Sequence, residues 1–259
     1  MRNLYSSLML RAIKTEYSFF PSLGLVSKKN SGSHKDMNFK TFQKSYKAFI
    51  PYFKEIDNNL ESINTFNQLK QIGFKYEQIM FKKTKDINTH KGLIFCCGIF
   101  YFCFKKSKML SLDFETYLLQ FCKELSRIPR PVSKSNSMVE KYNLKHAIDY
   151  AIEGYKIVFE TYMFYKKLNI KDENIKLFTT LIHLTINLDD TTLINKIGFE
   201  NWLEIKQSYI KVENQLINNE LTFEEILEIN QQAINNNISP GGCADILVLV
   251  IFLDLINYS

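Results

Sequence analysis

Asn88-Thr89-His90-Lys91-Gly92-Leu93-Ile94-Phe95 is the stretch from which the rest of the chain is read. Polar residues ending in a glycine open into an apolar run, Leu93 to Phe104, interrupted only by Gly98. Asn88 or Thr89 is suited to cap a helix, its side-chain oxygen taking one of the orphan N–H groups. Gly92 lets another backbone or a ligand come close, because it has no Cβ. His90 and Lys91 then sit at the positive end of a buried helix, where an anion is favoured. Two further polar, glycine-containing segments each carry an aspartate: Asn30-Ser31-Gly32-Ser33-His34-Lys35-Asp36-Met37 and Ser239-Pro240-Gly241-Gly242-Cys243-Ala244-Asp245.

The chain has 259 residues, room for one large domain or two small ones and for a sizeable core. With 46% hydrophobic and 23% charged residues it belongs among globular chains, not disordered ones. Only 9 Gly and 5 Pro punctuate it, which favours long helices over many short strands. The net charge of +6 is dispersed, and no basic run is long enough to act as a nucleic-acid arm. A modest positive balance suits a phosphate-rich small ligand. The 5 cysteines are odd in number and none has zinc spacing with nearby histidines. They read as reduced core thiols of a cytoplasmic protein. Leu8-Met9-Leu10 is too short for a signal-peptide core, and Glu16 interrupts the basic N-terminal pattern of a transit peptide. The longest uncharged run, Gly92 to Phe104, falls short of the ~20 residues that span a bilayer. Neither a membrane nor a nucleic-acid partner is expected.

Helical spacing recurs along the chain. A first helix is expected to about Tyr17, then a long polar loop from Ser27 to Asp36, a kind of loop that is often functional. Phe39, Phe42, Tyr46, Phe49 and Phe53 mark a second helix; Leu60 to Ile72 mark a third, ended by Gly73; Tyr76 to Phe81 form a short one. Leu112 to Leu125 is amphipathic, and Ile128 to Ser137 reads as a loop. Ala147 to Tyr162 gives one long helix, and Ile175–Leu188, Trp202–Ile217, Phe223–Ile234 and Ala244–Ile256 complete the set. No stretch alternates as a strand. The expectation is an all-α fold, a single globular domain of roughly ten helices over residues 1–259.

Four loop–helix junctions carry the polar chemistry: Ser27–Met37, Asn88–Gly92, Asp189-Asp190-Thr191 and Ser239–Asp245. Together they offer carboxylates Asp36, Asp189, Asp190 and Asp245, cations Lys28, Lys29, Lys35 and Lys91, and imidazoles His34 and His90. Carboxylates beside lysines and glycines make sense for a Mg²⁺-bound polyphosphate, since Mg²⁺ is usually held by one or two carboxylates plus phosphate oxygens. No Walker loop, no H-E-x-x-H and no Ser/His/Asp or Cys/His elbow is visible. His146 and His183 lie in helical segments without a motif and read as structural; Asp190 is also placed to be a plain helix cap.

The segments Gly24-Leu25-Val26, Gly32 to Met37, Asn88 to Phe95, Asp190-Thr191 and Ser239 to Asp245 occur in this order over nearly the whole chain. In this combination the chain resembles the triphosphoribosyl-dephospho-CoA synthase family. The resemblance implies an all-α transferase that takes ATP and 3′-dephospho-CoA, forms 2′-(5″-triphosphoribosyl)-3′-dephospho-CoA and releases adenine. It also implies a role for that product as prosthetic-group precursor for the acyl carrier protein of citrate lyase or a related enzyme, with a downstream acyl-carrier-protein transferase as a partner. On this reading Lys28, Gly32, Lys35, Thr89, Lys91, Gly92, Thr191, Ser239, Gly241 and Gly242 hold the nucleotide. Mg²⁺ lies among Asp36, Asp190 and Asp245; His34, Asp36, His90 and Asp190 are the catalytic candidates, the two imidazoles as acid or base. The chain departs from the family's pattern at Phe20-Pro21-Ser22-Leu23, Ser27, Thr192, Lys196 and Ile148-Asp149-Tyr150-Ala151. Two other readings fit these departures: a non-catalytic nucleotide- or acyl-carrier-binding relative, and a hydrolase of the same N-glycosidic bond.

Overall fold

The computed structural model describes residues 4–128 and 134–258. Among them are thirteen α-helices and one short 3-10 turn, with no strand. In chain order they are α1 (Leu4–Glu16), α2 (Phe39–Asn58), α3 (Phe66–Thr84), α4 (Lys91–Leu110), α5 (Phe114–Cys122), the 3-10 turn (Lys123–Arg127), α6 (Lys134–Tyr142) and α7 (Ala147–Ile152). Then come α8 (Lys156–Lys167), α9 (Glu173–Asn187), α10 (Thr191–Ile197), α11 (Phe199–Ile217), α12 (Phe223–Asn235) and α13 (Gly241–Leu255).

Local chemistry starts many of these helices where the chain supplies a cap. Asn38 and Thr41, Thr65 and Gln68, and Thr222 and Glu225 form reciprocal capping boxes at α2, α3 and α12. Asp113, Asp172 and Asp190 cap α5, α9 and α10 through their carboxylates. Two helices are apolar on nearly every side. α4 buries Leu93 through Phe104 except Phe95, and α13 buries Cys243 through Leu253 except Asp245. A helix without a polar face is stable only when surrounded by other helices. α13 accordingly packs against α1, α4, α8 and α9, and α4 against α2, α3, α5 and α13. Phe252 of α13 meets Phe100 and Phe104 of α4 edge-on, at 6.4 and 5.4 Å between ring centres. No helix of the described residues is long and apolar enough to cross a membrane. All five cysteines are buried and unpaired.

Three boundaries differ from the sequence reading. Gly73 does not end a helix: α3 starts at the Thr65 cap and runs through Gly73 to Thr84, absorbing both expected segments. A single glycine costs a helix only about 1 kcal/mol, less than the packing of α3 on α2 returns. The long helix expected from Ala147 is two, α7 and α8, because Gly154 and Tyr155 both adopt left-handed backbone, with φ of +68° and +55°. The loop expected through Ser137 lies partly outside the described residues, and the chain is helical from Lys134.

Gly98 shows how closely the inner helices approach. A Cβ there would overlap the Tyr52 hydroxyl of α2, which donates to the Ile94 carbonyl of α4 at 3.0 Å. Gly98→Ala is expected to cost about 1–3 kcal/mol of stability. Tyr52→Phe in the same chain should recover most of that loss, because it removes the atom in the way. Urea unfolding of the four chains of this cycle is the check; additive losses would contradict the contact.

Candidate active site

The short connection Leu188-Asp189-Asp190 joins α9 to α10 and sets the geometry of the site. Asp190 Oδ1 accepts the N–H groups of Thr192 and Leu193 at 3.0 Å each, capping α10. Its Oδ2 accepts the N–H of Cys243 at 3.0 Å, which ties the start of α13 to the same carboxylate. The group is 1% exposed, and burial raises its pKa despite these N–H bonds. Gly242 answers to this arrangement. Its backbone is helical, and a Cβ there would lie 3.0 Å from Asp190 Oδ1. The need at Gly242 is therefore room for a carboxylate and not a positive φ. At Gly241 a Cβ would meet only Thr192 Cγ2, at an ordinary 3.6 Å.

Two clefts open on either side of this junction. The first, of about 170 Å³, lies among the end of α1, the loop before α2 and the starts of α4 and α13. Leu25, Val26, Met37 and Phe42 give it an apolar side; Glu16, His34, His90, Lys196 and Asp245 give it a polar one. The second, of about 340 Å³, is lined by Phe95, His146, Tyr150, Asp189, Asp190, Thr191 and Gly242 among others. Asn88, Lys91, Gly92, Thr192 and Asp245 line both, so the clefts share a wall. Gly92 makes that wall possible: a Cβ on it would collide with Asp245 Oδ2. Its missing side chain accommodates a carboxylate, where the sequence reading expected the approach of backbone or ligand.

The ionisable groups of the first cleft are tuned by burial. Glu16, 5% exposed, has its pKa pushed well up, first by burial and then by the charge of Asp245. Asp245 is pushed well up by burial and then by Asp190. His90 is 3% exposed, and burial lowers its pKa to about 3. Its Nδ1 lies 2.6 Å from Ser45 Oγ, and its Nε2 has no partner. His34 is lowered by burial and then by Lys196, with Asp36 opposing. Its Nε2 lies 2.6 Å from Ser239 Oγ. Lys196 donates to Ser33 Oγ at 2.7 Å, and burial lowers its pKa. Both imidazoles are thus biased to the neutral form at pH 7, able to make hydrogen bonds but poor sources of a proton. The carboxyl groups are the side chains here that burial helps to keep their protons.

The expected residues divide between the clefts and the surface. His34, Thr89, His90, Ser239 and Gly241 line the first cleft, Asp190, Thr191 and Gly242 the second, and Lys91, Gly92 and Asp245 both. Lys28 and Lys35 are exposed and line neither. Gly32, with φ of +57°, serves the loop itself, where a Cβ would collide with the Gly24 and Leu25 carbonyls. Asp36 lines neither cleft: its side chain is 63% exposed, 3.8 Å from His34 Nδ1. Among the described residues no three His, Cys, Asp or Glu side chains are placed to hold a metal. Asp190 gives its two oxygens to three backbone N–H groups. The Lys91 ammonium pairs with Glu77 at 2.9 Å. Glu16, Lys196 and Tyr150 were not among the expected site residues. Glu16 had a signal: it continues the buried face Met9, Ala12, Ile13 of α1, where an acid is out of place unless used. Tyr150, whose hydroxyl accepts the Asp189 N–H at 2.8 Å, was marked only as part of the segment Ile148-Asp149-Tyr150-Ala151 that departs from the family's pattern.

Comparison with known proteins gives a consistent picture. The family model described as CitG: ATP:dephospho-CoA triphosphoribosyl transferase matches residues 2–259. A Streptococcus pyogenes (serotype M5, strain Manfredo) protein named probable 2-(5″-triphosphoribosyl)-3′-dephosphocoenzyme-A synthase is 28% identical, over 95% of this chain and 94% of its own. A Salmonella choleraesuis (strain SC-B67) protein, named as the probable synthase 1, is 28% identical over 96% and 89%. The Haemophilus ducreyi synthase (strain 35000HP) is 26% identical over 95% and 86%. No solved structure matches the chain.

Two outcomes follow from the site's electrostatics. Asp190→Asn must set an NH₂ group against backbone N–H donors; it should cost about 1–3 kcal/mol in urea unfolding, and excess Mg²⁺ should not restore it. Rescue by Mg²⁺ would show that this side chain holds the ion. Glu16 binds its proton more tightly folded than unfolded. Below the usual carboxylate range both states keep it; as pH rises past about 4.5 the unfolded chain releases it first, and the folded state loses ground. Glu16→Gln should therefore be more stable than the parent at pH 8, with the difference vanishing near pH 4. A constant difference from pH 4 to 8 would contradict the raised pKa.

Proposed function

The chain belongs to the ATP:dephospho-CoA triphosphoribosyl transferase family, a family of enzymes, and we propose that it moves the triphosphoribosyl unit of ATP to the 2′-hydroxyl of 3′-dephospho-CoA, releasing adenine. The observation that carries this reading is the pair of clefts with Asp245 in their common wall. A two-substrate displacement needs two sites that meet at the reacting carbon. The narrower first cleft suits the adenine and ribose of ATP, and the roomier second suits the longer dephospho-CoA. ATP enters as its Mg²⁺ complex. The starts of α4 and α13 present backbone N–H groups and positive dipole ends between the clefts, and Lys91 and Lys196 add cations.

In the reaction the bond from C1′ to N9 of adenine breaks, and a bond from C1′ to the 2′-oxygen of dephospho-CoA forms. The transition state is oxocarbenium-like, as in glycoside chemistry, where two carboxyl groups divide the work of acid and base. We assign that work to Glu16 and Asp245 in place of the imidazoles. Two neighbouring carboxyl groups that hold on to protons supply one acid and, once a proton is lost, one base. Glu16, on the first cleft alone, protonates the departing adenine. Asp245, on the shared wall, takes the proton of the incoming hydroxyl. The product, by the resemblance noted from the sequence, then serves as prosthetic-group precursor for an acyl carrier protein, through a separate transferase.

Adenine should appear from ATP when 3′-dephospho-CoA is present, and the triphosphoribosyl product should form in equal amount; chromatography of both is the check. Equal adenine release without the acceptor would favour the hydrolase reading, and ATP binding without release the non-catalytic one. Asp245→Asn should lower turnover on the order of 10²-fold or more. Normal turnover in that variant would remove Asp245 from the chemistry.

A further inference from the structure

We infer that the inner end of the first cleft is a nucleobase pocket, in which His90 Nε2–H donates to a ring nitrogen of the base and Ser45 fixes the tautomer that makes it a donor. The identity of the base as adenine rests on the proposed function; the pocket itself rests on the following geometry. His90 lines the cleft and is 3% exposed. Its ring is fixed edge-on by Phe42 and Phe49, at 4.8 and 5.4 Å between centres. Ser45 is fully buried, and its hydroxyl meets His90 Nδ1 at 2.6 Å as the one hydrogen-bond partner found for that hydroxyl among the described residues. With the Ser45 hydroxyl as donor, the direction this inference takes, Nδ1 accepts and the imidazole hydrogen sits on Nε2.

That leaves a buried N–H with nothing to accept it. Leaving such a donor unmet is costly, so whatever accepts from it in the cleft gains in affinity. The apolar residues of the same cleft are Leu25, Val26, Met37 and Phe42, the last against the imidazole itself. The occupant must therefore have apolar faces and an acceptor in its plane. A purine has that form: two flat faces and ring nitrogens with in-plane lone pairs. The neutral state of the imidazole, held by burial, makes the contact a hydrogen bond without proton transfer. His90 thus reads the base, while the carboxyl groups do the proton chemistry. Ser45 acts through His90 and is a positioning residue.

The test is calorimetric titration of the chain with Mg·ATP and with its 1-deaza, 3-deaza and 7-deaza analogues, each lacking one acceptor nitrogen. One analogue should bind about ten-fold or more weakly than ATP, and the other two close to ATP. In His90→Phe, which keeps a ring of similar size, that analogue and ATP should bind alike. Ser45→Ala, which keeps the imidazole, should shrink the same ratio. Nitrogen-15 spectra of labelled histidine should show His90 hydrogenated at Nε2, a readout that survives even if a variant fails to fold. The inference is overturned if all three analogues match ATP, if the penalty persists in His90→Phe, or if the spectra place the hydrogen on Nδ1. Failure of the proposed reaction reads differently. A chain that shows the analogue pattern but transfers nothing keeps the pocket and loses the transferase. A chain that transfers without the pattern does the reverse.

Discussion

One buried carboxylate holds this site together. Asp190 accepts from Thr192 and Leu193 at the start of α10 and from Cys243 at the start of α13, elements some fifty residues apart. Orphan N–H groups at a helix start must find acceptors, and a single anion that serves two helices locks their separation and angle. The apolar length of α13 then carries that constraint into the core, against α1, α4, α8 and α9. Because α1 ends at Glu16 and α13 begins beside Asp245, the position of the two carboxyl groups depends on this one clasp.

The arrangement also explains how opposite demands coexist in a small volume. An anionic substrate requires cations and helix starts, whereas acid–base chemistry at a sugar carbon requires carboxyl groups that do not drive the anion away. Burial eases the conflict by raising the pKa of both Glu16 and Asp245, so that part of their negative charge is withheld, although in the proposed reaction Asp245 must give up its proton to act as the base. The same burial strips charge from His90. What the first cleft shows to a ligand is mostly neutral hydrogen-bonding groups, with Lys91 and Lys196 supplying the positive ones.

The all-α class was legible because Leu93–Phe104 and Ala244–Ile256 are too long and too uniformly apolar to be anything but enclosed helices. The loop–helix junctions that carry the polar residues were legible too, since glycine, proline, asparagine and aspartate mark them. What those residues do there was harder to see. Gly92 and Gly242 are glycines for the sake of carboxylates that arrive from Asp245 and Asp190, a fact of three-dimensional crowding with no local signature. Asp36 follows His34 closely in sequence, yet it faces solvent while His34 turns inward to Ser239. The break at Gly154-Tyr155 was hidden because the helical spacing of apolar residues continues across it. Glu16 was readable in principle, as an acid on a buried face, but a charge at a helix end draws little notice beside clustered glycines.

The five thiols have a use that concerns measurement more than mechanism. All are buried, and burial raises the pKa of every one, so the reactive thiolate is scarce while the chain is closed. Alkylation can then proceed only through opening, and its rate counts opening events. Cys243 sits in the Asp190 clasp, while Cys103 of α4 and Cys122 at the end of α5 sit together in the core. The chain thus carries natural clocks at two depths. The ratio of their labelling rates distinguishes a loosening of the start of α13 from an unravelling of the whole bundle.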